Sequence, residues 1–297
     1  MAGQHQCDRR QHRHGAHCTG EPGHREPEAA TFSDEDDAVR LVGEVPREIR
    51  AAGPGQEPVP VAITMRTPGS EAELAVGFLR TEGLIDGPEV VEVTFGDPAR
   101  LAAPDDTVIV RLSRPFDPSL IDERHFVATA SCGICGKASL DEVEVRCAPI
   151  PGGPIVPRAV ITALPDRLRA AQAVFDETGG LHAAALFSAA GELIAVREDG
   201  GRHNAVDKLV GSQVLAGRMP LHGRIVMVSG RISFEIVQKA AVAGAPILCA
   251  VSAPSDLAVS AAERLGVTLV GFLRGDSFNV YAHPERIDLG EGSPRRR

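Results

Sequence analysis

The stretch that decides the fold is "RIVMVSGRISFEIVQKAAVAGAPILCAVSAPSDLAVSAAERLGVTLVGFL", Arg224 to Leu273. Three short apolar runs, "RIVMVSG", "PILCAVS" and "VTLVGFL", alternate with two longer segments, "SFEIVQKAAVAG" and "SDLAVSAAERLG". The short runs are rich in β-branched residues and predict strands; the longer ones carry helical spacing. Strand–helix–strand alternation of this kind predicts parallel strands joined by right-handed crossovers. Ligands are then expected at the carboxyl ends of the strands.

The same pattern extends outward in both directions. "SFNVYA", Ser277 to Ala282, is expected to close the sheet. Upstream, "NAVDKLVGSQVLAG" predicts a helix with Val206, Leu209, Val210 and Val214 on one face. "LHAAALFSAAGELIAVRE" predicts two strands around a turn at Ala189 to Gly191. "LPDRLRAAQAVFDETGG" predicts a helix with Pro165 in its first turn and Gly179 at its end. Residues 159–288 therefore form an α/β domain in this reading, followed by a flexible tail, 289–297. The Pro/Gly-rich "APIPGGPIVPR", Ala148 to Arg158, is the best linker candidate. It closes a segment, 128–158, that is read as a mobile loop plus linker.

A smaller α+β unit is expected over residues 38–127. "PVPVAITM" reads as a strand, and "EVVEVTF" and "DTVIVRL" show strand-like alternation. "SEAELAVGFLRTEG" predicts a helix with Ser70 as N-cap, Glu73 closing a capping box and Gly83 ending it in a left-handed turn. Residues 1–37 differ: five of the ten histidines lie in the first 24 positions, within a polar run. That segment is predicted to be a disordered tail. Its Cys7, His12, His14, His17 and Cys18 could bind metal weakly.

Composition removes several function classes. The 297 residues carry a formal net charge of −9, which argues against wholesale binding to nucleic acid or an anionic membrane. No apolar run is long enough to span a membrane, and "MAGQHQCDRR" has no signal-peptide core. A cytoplasmic location is the expectation, and with it reduced cysteines rather than a disulfide framework.

The chemistry concentrates in a few places. "TASCGICGKASL", Thr129 to Leu140, holds Cys132 and Cys135 two residues apart. A structural zinc site would need two more ligands, and no second C-x-x-C exists. A dithiol redox pair normally opens a helix, whereas Gly133 and Gly136 suit a mobile loop. A carrier thiol accepting sulfur as a persulfide is the third option. Lys137 is expected to favour the thiolate. Deaminase chemistry is poorly supported, because Ser131 replaces the expected proline and His182 lacks a glutamate two residues on.

Three glycine- and arginine-bearing turns follow predicted strands. "REDGGRHNAVDKLVG" packs Asp199, Arg202, His203, Asn204, Asp207 and Lys208 around Gly200 and Gly201, with Asn204 a candidate helix cap. "VSGRISFE" adds Ser229 and Arg231. "GFLRGDSFNVYAHPER" adds Phe272, Leu273, Arg274, Gly275, Asp276 and Ser277. Glycines allow close backbone approach and arginines suit phosphate. Together the turns predict one shared pocket for a phosphorylated ligand.

"SCGICGK", "EDGGRHNAVDK", "VSGRISFEIVQKAA" and "GFLRGDSFNVYAHPER", in this order, resemble the formate dehydrogenase accessory protein family, the FdhD-type sulfurtransferases. "ELAVGFLRTEGLI" fits the same pattern, and the resemblance spans about Val39 to Ile287. It implies a deaminase-like three-layer α/β fold in the C-terminal domain and a homodimer. It implies that Cys132 carries persulfide sulfur from a cysteine desulfurase, with Cys135 its partner. The acceptor would be the bis-molybdopterin guanine dinucleotide cofactor needed by formate dehydrogenase, with GDP or GMP as mimics and no metal of the protein's own. Phe272 to Ser277 would bind that cofactor, with the Asp199 to Lys208 loop beside it. Gly200 stands where many relatives are expected to carry a bulkier residue. A cofactor-binding chaperone without transferase activity and a zinc-binding module are the rival readings.

Overall fold

The computed structural model describes residues 30–32, 39–96, 106–122 and 147–290. Residues 1–29 of the histidine-rich tail, the Thr129–Leu140 thiol stretch with Lys137, and residues 291–297 lie outside the described residues, whereas Ala30–Phe32, read as part of that tail, form a strand. Strands β1 (Ala30–Phe32) and β2 (Val39–Leu41) pair antiparallel. β3 (Val45–Ala52), β4 (Val59–Arg66), β5 (Val90–Phe95) and β6 (Thr107–Leu112) form a four-stranded sheet in the order β4-β3-β6-β5. Helix α1 (Glu71–Thr81) covers one face, burying Ala75, Val76, Phe78 and Leu79 against Ile49, Val61, Val108 and Val110. A short helix α2 (Ser119–Asp122) follows.

The predicted capping box at α1 does not form. Ser70 adopts a left-handed conformation, φ 59°, and its side chain accepts no cap bond. The Gly69 amide instead donates to the Glu71 carboxylate at 2.9 Å, and Glu73 pairs with Arg197. An ion pair across elements thus takes the carboxylate that a capping box would have used. The far end is as expected: Gly83, φ 65°, closes the helix.

The second sheet is the predicted α/β core. β8 (His182–Ser188), β9 (Leu193–Asp199), β10 (Arg224–Val228), β11 (Ile247–Ala250), β12 (Thr268–Arg274) and β13 (Ser277–Ala282) assemble in the order β13-β12-β11-β10-β8-β9. β10, β11 and β12 are parallel; β8 and β13 run against their neighbours. Side chains alternate between two cores with the strand period of two. Ile225, Met227 and Cys249 face helix α3 (Arg158–Ala170) through Ile161, Leu164 and Leu168. Val226, Val228 and Leu248 face α5 (Arg202–Leu215), α6 (Phe234–Val242) and α7 (Asp256–Leu265). Each large side chain so buried contributes about 1.5–3 kcal/mol. Helices on both faces of one sheet give the three-layer α/β arrangement.

Two boundaries differ from expectation. Helix α3 begins at Arg158, so Pro165 sits inside it rather than in its first turn. The buried stripe Ile161–Leu164–Leu168 outweighs the hydrogen bond that proline removes. A separate short helix α4 (Ala173–Thr178) ends at Gly179 in a left-handed turn. The stretch read as a linker is packed against the domain. β7 (Val156–Pro157) pairs with β14 (Ile287–Asp288), Ile150 and Val156 are buried, and the Ile150 amide donates to the Leu265 carbonyl at 2.9 Å.

The two units meet through α1 and α5. Gly77 and Gly211 face each other there: a Cβ on Gly77 would lie 1.8 Å from the Asp207 carbonyl oxygen, and one on Gly211 1.8 Å from that of Glu73. Only glycine permits this backbone approach. Below the crossing, Lys239 of α6 donates to Asp207 at 2.8 Å, Thr81 at 2.9 Å and Glu82 at 2.9 Å. Burial works against the ammonium, but the carboxylates of Asp207 and Glu82 outweigh it and raise the Lys239 pKa.

Candidate functional site

β9, β10, β11 and β12 all point their carboxyl ends to the same edge of the six-stranded sheet. The three predicted turns therefore share one edge. From β9 to β12 is four strand spacings, so the outer two turns stand about 19 Å apart.

The first turn is organised from the interior. Asp199 is fully buried and accepts from the Thr67 amide at 3.1 Å, the Gly201 amide at 2.8 Å, Asn204 Nδ2 at 3.1 Å and Lys208 Nζ at 2.7 Å. Lys208 is buried as well and also donates to the Thr67 carbonyl at 2.9 Å. Asp207 lies in the Lys239 network below the helix crossing. These three predicted site residues hold the turn and the helix seam; their charges close on protein partners. Asn204 is not the helix cap. Gly201 occupies that position, and Asn204, at the third residue of α5, bridges Asp199 and the Met65 carbonyl.

Arg202 and His203 are half-buried at the edge itself. Arg202 Nε is buried without a hydrogen-bond partner. His203 Nε2 lies 3.3 Å from Ser233 Oγ and 3.8 Å from Glu235. Burial alone would raise the Glu235 carboxyl, but hydrogen bonds from His203 and Ser233 outweigh it and bring the pKa down to about 2.

In the second turn, Ser229 Oγ accepts from the Ala183 amide at 2.8 Å, and Arg231 is exposed. In the third, Phe272 is exposed in a left-handed conformation, φ 53°, with its amide donating to the Ser252 carbonyl. A non-glycine residue held there is strained, a state that clusters at ligand sites. Leu273 points into the core. Arg274 Nε donates to the Val251 carbonyl at 3.2 Å, Gly275 turns with φ 52°, Ser277 Oγ donates to the Arg274 carbonyl, and the Asp276 carbonyl accepts from Arg158.

A cavity of about 580 Å³ opens at the same edge, between the strand ends and the α3–α4 corner. Its walls include Asp166, Arg169, Gln172, Phe175, His182 and Ser229. Of these only Ser229 belongs to the predicted turns. Glu198 fixes the α4 wall by accepting from the Val174 and Phe175 amides. Sequence reasoning missed this wall because its polar residues sit on helices that read as ordinary amphipathic surface. Cys132 and Cys135 lie outside the described residues. Cys249, inside β11, has its thiol pKa pushed up by burial, which suits a core residue rather than a nucleophile.

The arrangement can bind anions: unpaired arginine nitrogen, helix amides and glycine turns converge on one edge. Several known proteins have similar chains. The sequence pattern of the FdhD/NarQ family matches residues 42–288. The "Sulfur carrier protein FdhD" of Streptomyces avermitilis is 50% identical over 257 residues, covering 84% of this chain and 89% of its own. The protein of that name from Mycolicibacterium paratuberculosis is 50% identical over 256 residues, covering 83% and 91%. A crystal structure described as a formate dehydrogenase accessory protein from Desulfotalea psychrophila superposes with a TM-score of 0.63 at 24% identity, over 88% of this chain and 98% of that one; it shows the shared fold. With a match that runs from the N-terminal sheet to the last strand, and relatives half identical across that length, this chain belongs to the FdhD/NarQ family.

Proposed function

We propose that this protein is a sulfurtransferase that carries persulfide sulfur from a cysteine desulfurase to the bis-molybdopterin guanine dinucleotide cofactor of formate dehydrogenase. The observation that carries the reading is the strand-end edge, where the glycine- and arginine-bearing turns span about 19 Å beside a nucleotide-sized cavity. That span suits an elongated ligand with phosphates at more than one point. The cavity is large enough for one nucleotide arm of such a cofactor. Arg202, Arg231 and Arg274 would meet phosphates, and the exposed Phe272 ring would stack on a planar base.

The sulfur chemistry rests on family membership and on the two thiols. The Cys132 thiolate attacks the outer sulfur of the desulfurase persulfide, the desulfurase thiol leaves, and the sulfur remains on Cys132 as a new persulfide. Cys135 is its partner in transfer. A cytoplasmic homodimer that meets the desulfurase and formate dehydrogenase in turn fits this role.

The test is intact-protein mass spectrometry after incubation with a cysteine desulfurase and cysteine, followed by peptide mapping. One added sulfur, removed by reductant and mapped to Cys132 or Cys135, is the expected result. Cys132→Ala is expected to abolish activation of formate dehydrogenase while GDP binding persists. A variant that still activates would establish the chaperone reading instead.

A further inference from the structure

His182 opens β8, and its backbone is pinned. The Ala183 amide donates to Ser229 Oγ at 2.8 Å, and the Ser229 amide returns a bond to the Ala183 carbonyl at 2.9 Å. The ring therefore has a fixed root on the cavity wall. Gly230 makes room for it: a Cβ there would lie 3.2 Å from Nδ1 of His182 and 3.8 Å from Cβ of Arg202. Neither ring nitrogen has a hydrogen-bond partner among the described residues, and neither is fully buried. A half-buried imidazole on the wall of the cavity thus has its hydrogen-bonding capacity unspent.

Charged groups surround it on several sides. Arg202 and His203 approach from α5, Asp199 from the end of β9, and Asp166 and Arg169 line the same cavity from α3. Asp199 is committed to Thr67, Gly201, Asn204 and Lys208, and His203 to Ser233 and Glu235. Burial first, then Arg202 and His203, lower the His182 pKa, with Asp199 opposing them. The imidazole beside Arg202 is therefore neutral at neutral pH. A phosphate entering there reverses the balance, because an anion within about 4–6 Å favours the charged form.

We propose that His182 is a ligand-contacting residue of the strand-edge cavity that takes up a proton when a phosphate group enters beside Arg202. The inference rests on the reading of this edge as a nucleotide-binding site. It adds a residue that none of the three turns contains, and it makes binding of the anionic ligand proton-linked. By linkage, affinity rises as pH falls from the bound-state pKa toward the lower free-state pKa, by at most about tenfold per pH unit, and levels off below the free-state value.

The experiment is isothermal titration of the full-length protein with GDP from pH 6 to 8, in buffers of different ionisation enthalpy. Wild type is expected to take up a fraction of a proton per GDP and to bind more tightly at lower pH. His182→Gln is expected to bind several-fold more weakly at pH 6 and to keep only the dependence due to GDP's own phosphate, which titrates near pH 6 in both proteins. Binding without proton uptake in wild type, or an unchanged pH slope in His182→Gln, overturns the proposal and leaves the nucleotide reading standing. No GDP binding at any pH overturns both. Histidine-selective NMR on wild type gives a readout independent of the variant's folding: GDP should move one imidazole pKa upward, and no upward move overturns the proposal.

Discussion

Asp199 and Lys208, read from the sequence as pocket residues, are buried and paired with each other. The density of polar residues in "REDGGRHNAVDKLVG" drew the reading to this turn. Sequence alone could not reveal that both side chains face inward, because their shared partner, Thr67, comes from just after β4, over 130 positions earlier. The buried pair makes a sharp prediction. Asp199→Ala leaves an uncompensated ammonium in the interior and is expected to cost about 3–5 kcal/mol, measured by urea unfolding. An exposed ligand-binding carboxylate would cost well under 1 kcal/mol on the same measurement. Arg202 and His203, one and two residues after the pivot at Gly201, reach the edge that Asp199 does not. Spacing within the turn was legible; orientation was not. Phe272 shows the converse: nothing in "GFLRGDSF" signals a left-handed phenylalanine, since that conformation is imposed by the bulged pairing of β12 with β13.

At the scale of elements, the α/β alternation from Arg224 onward was fully readable, because period-two strands and amphipathic helices carry distinct patterns. Helix α5 was readable only in part. Its residues from Asn204 to Gln213 are all buried, since it is clamped between the six-stranded sheet and α1. The polar Asp207 and Lys208 on a buried face blur the apolar stripe. The Gly77–Gly211 contact was invisible, as a helical glycine carries no sign of what it touches. Gly77→Ala is expected to force α1 from α5 and cost roughly 3 kcal/mol or more, since the intruding methyl meets backbone that cannot swing aside. Thermal unfolding checks it; a change within about 0.5 kcal/mol would mean the helices separate freely. Helix α3 was misplaced at its start for a related reason: proline punctuates a sequence strongly, and the three core leucine and isoleucine positions override it.

At the scale of the molecule, the two units read as separate in the sequence are welded through α1, α5 and α6. Lys239, Asp207, Thr81 and Glu82 form the buried joint. Lys239→Met is expected to destabilise the whole chain by about 3–5 kcal/mol, whereas Lys239→Met with Asp207→Leu should recover much of that loss, because the isolated buried charge is gone. Calorimetry of both variants decides it; equal losses would place the cost in packing rather than charge. The long-range joint also governs when the protein can be completed on the ribosome. Thr67 and Lys208 are 141 positions apart. At ordinary elongation rates of about 5–20 residues per second, the N-terminal half waits roughly 7–28 s for the helix that covers α1. During that interval the glycine seam of α1 and its ionic partners face solvent with nothing to dock on. The N-terminal unit is therefore left for that interval with the Gly77 face of α1 uncovered and Thr81 and Glu82 without their lysine.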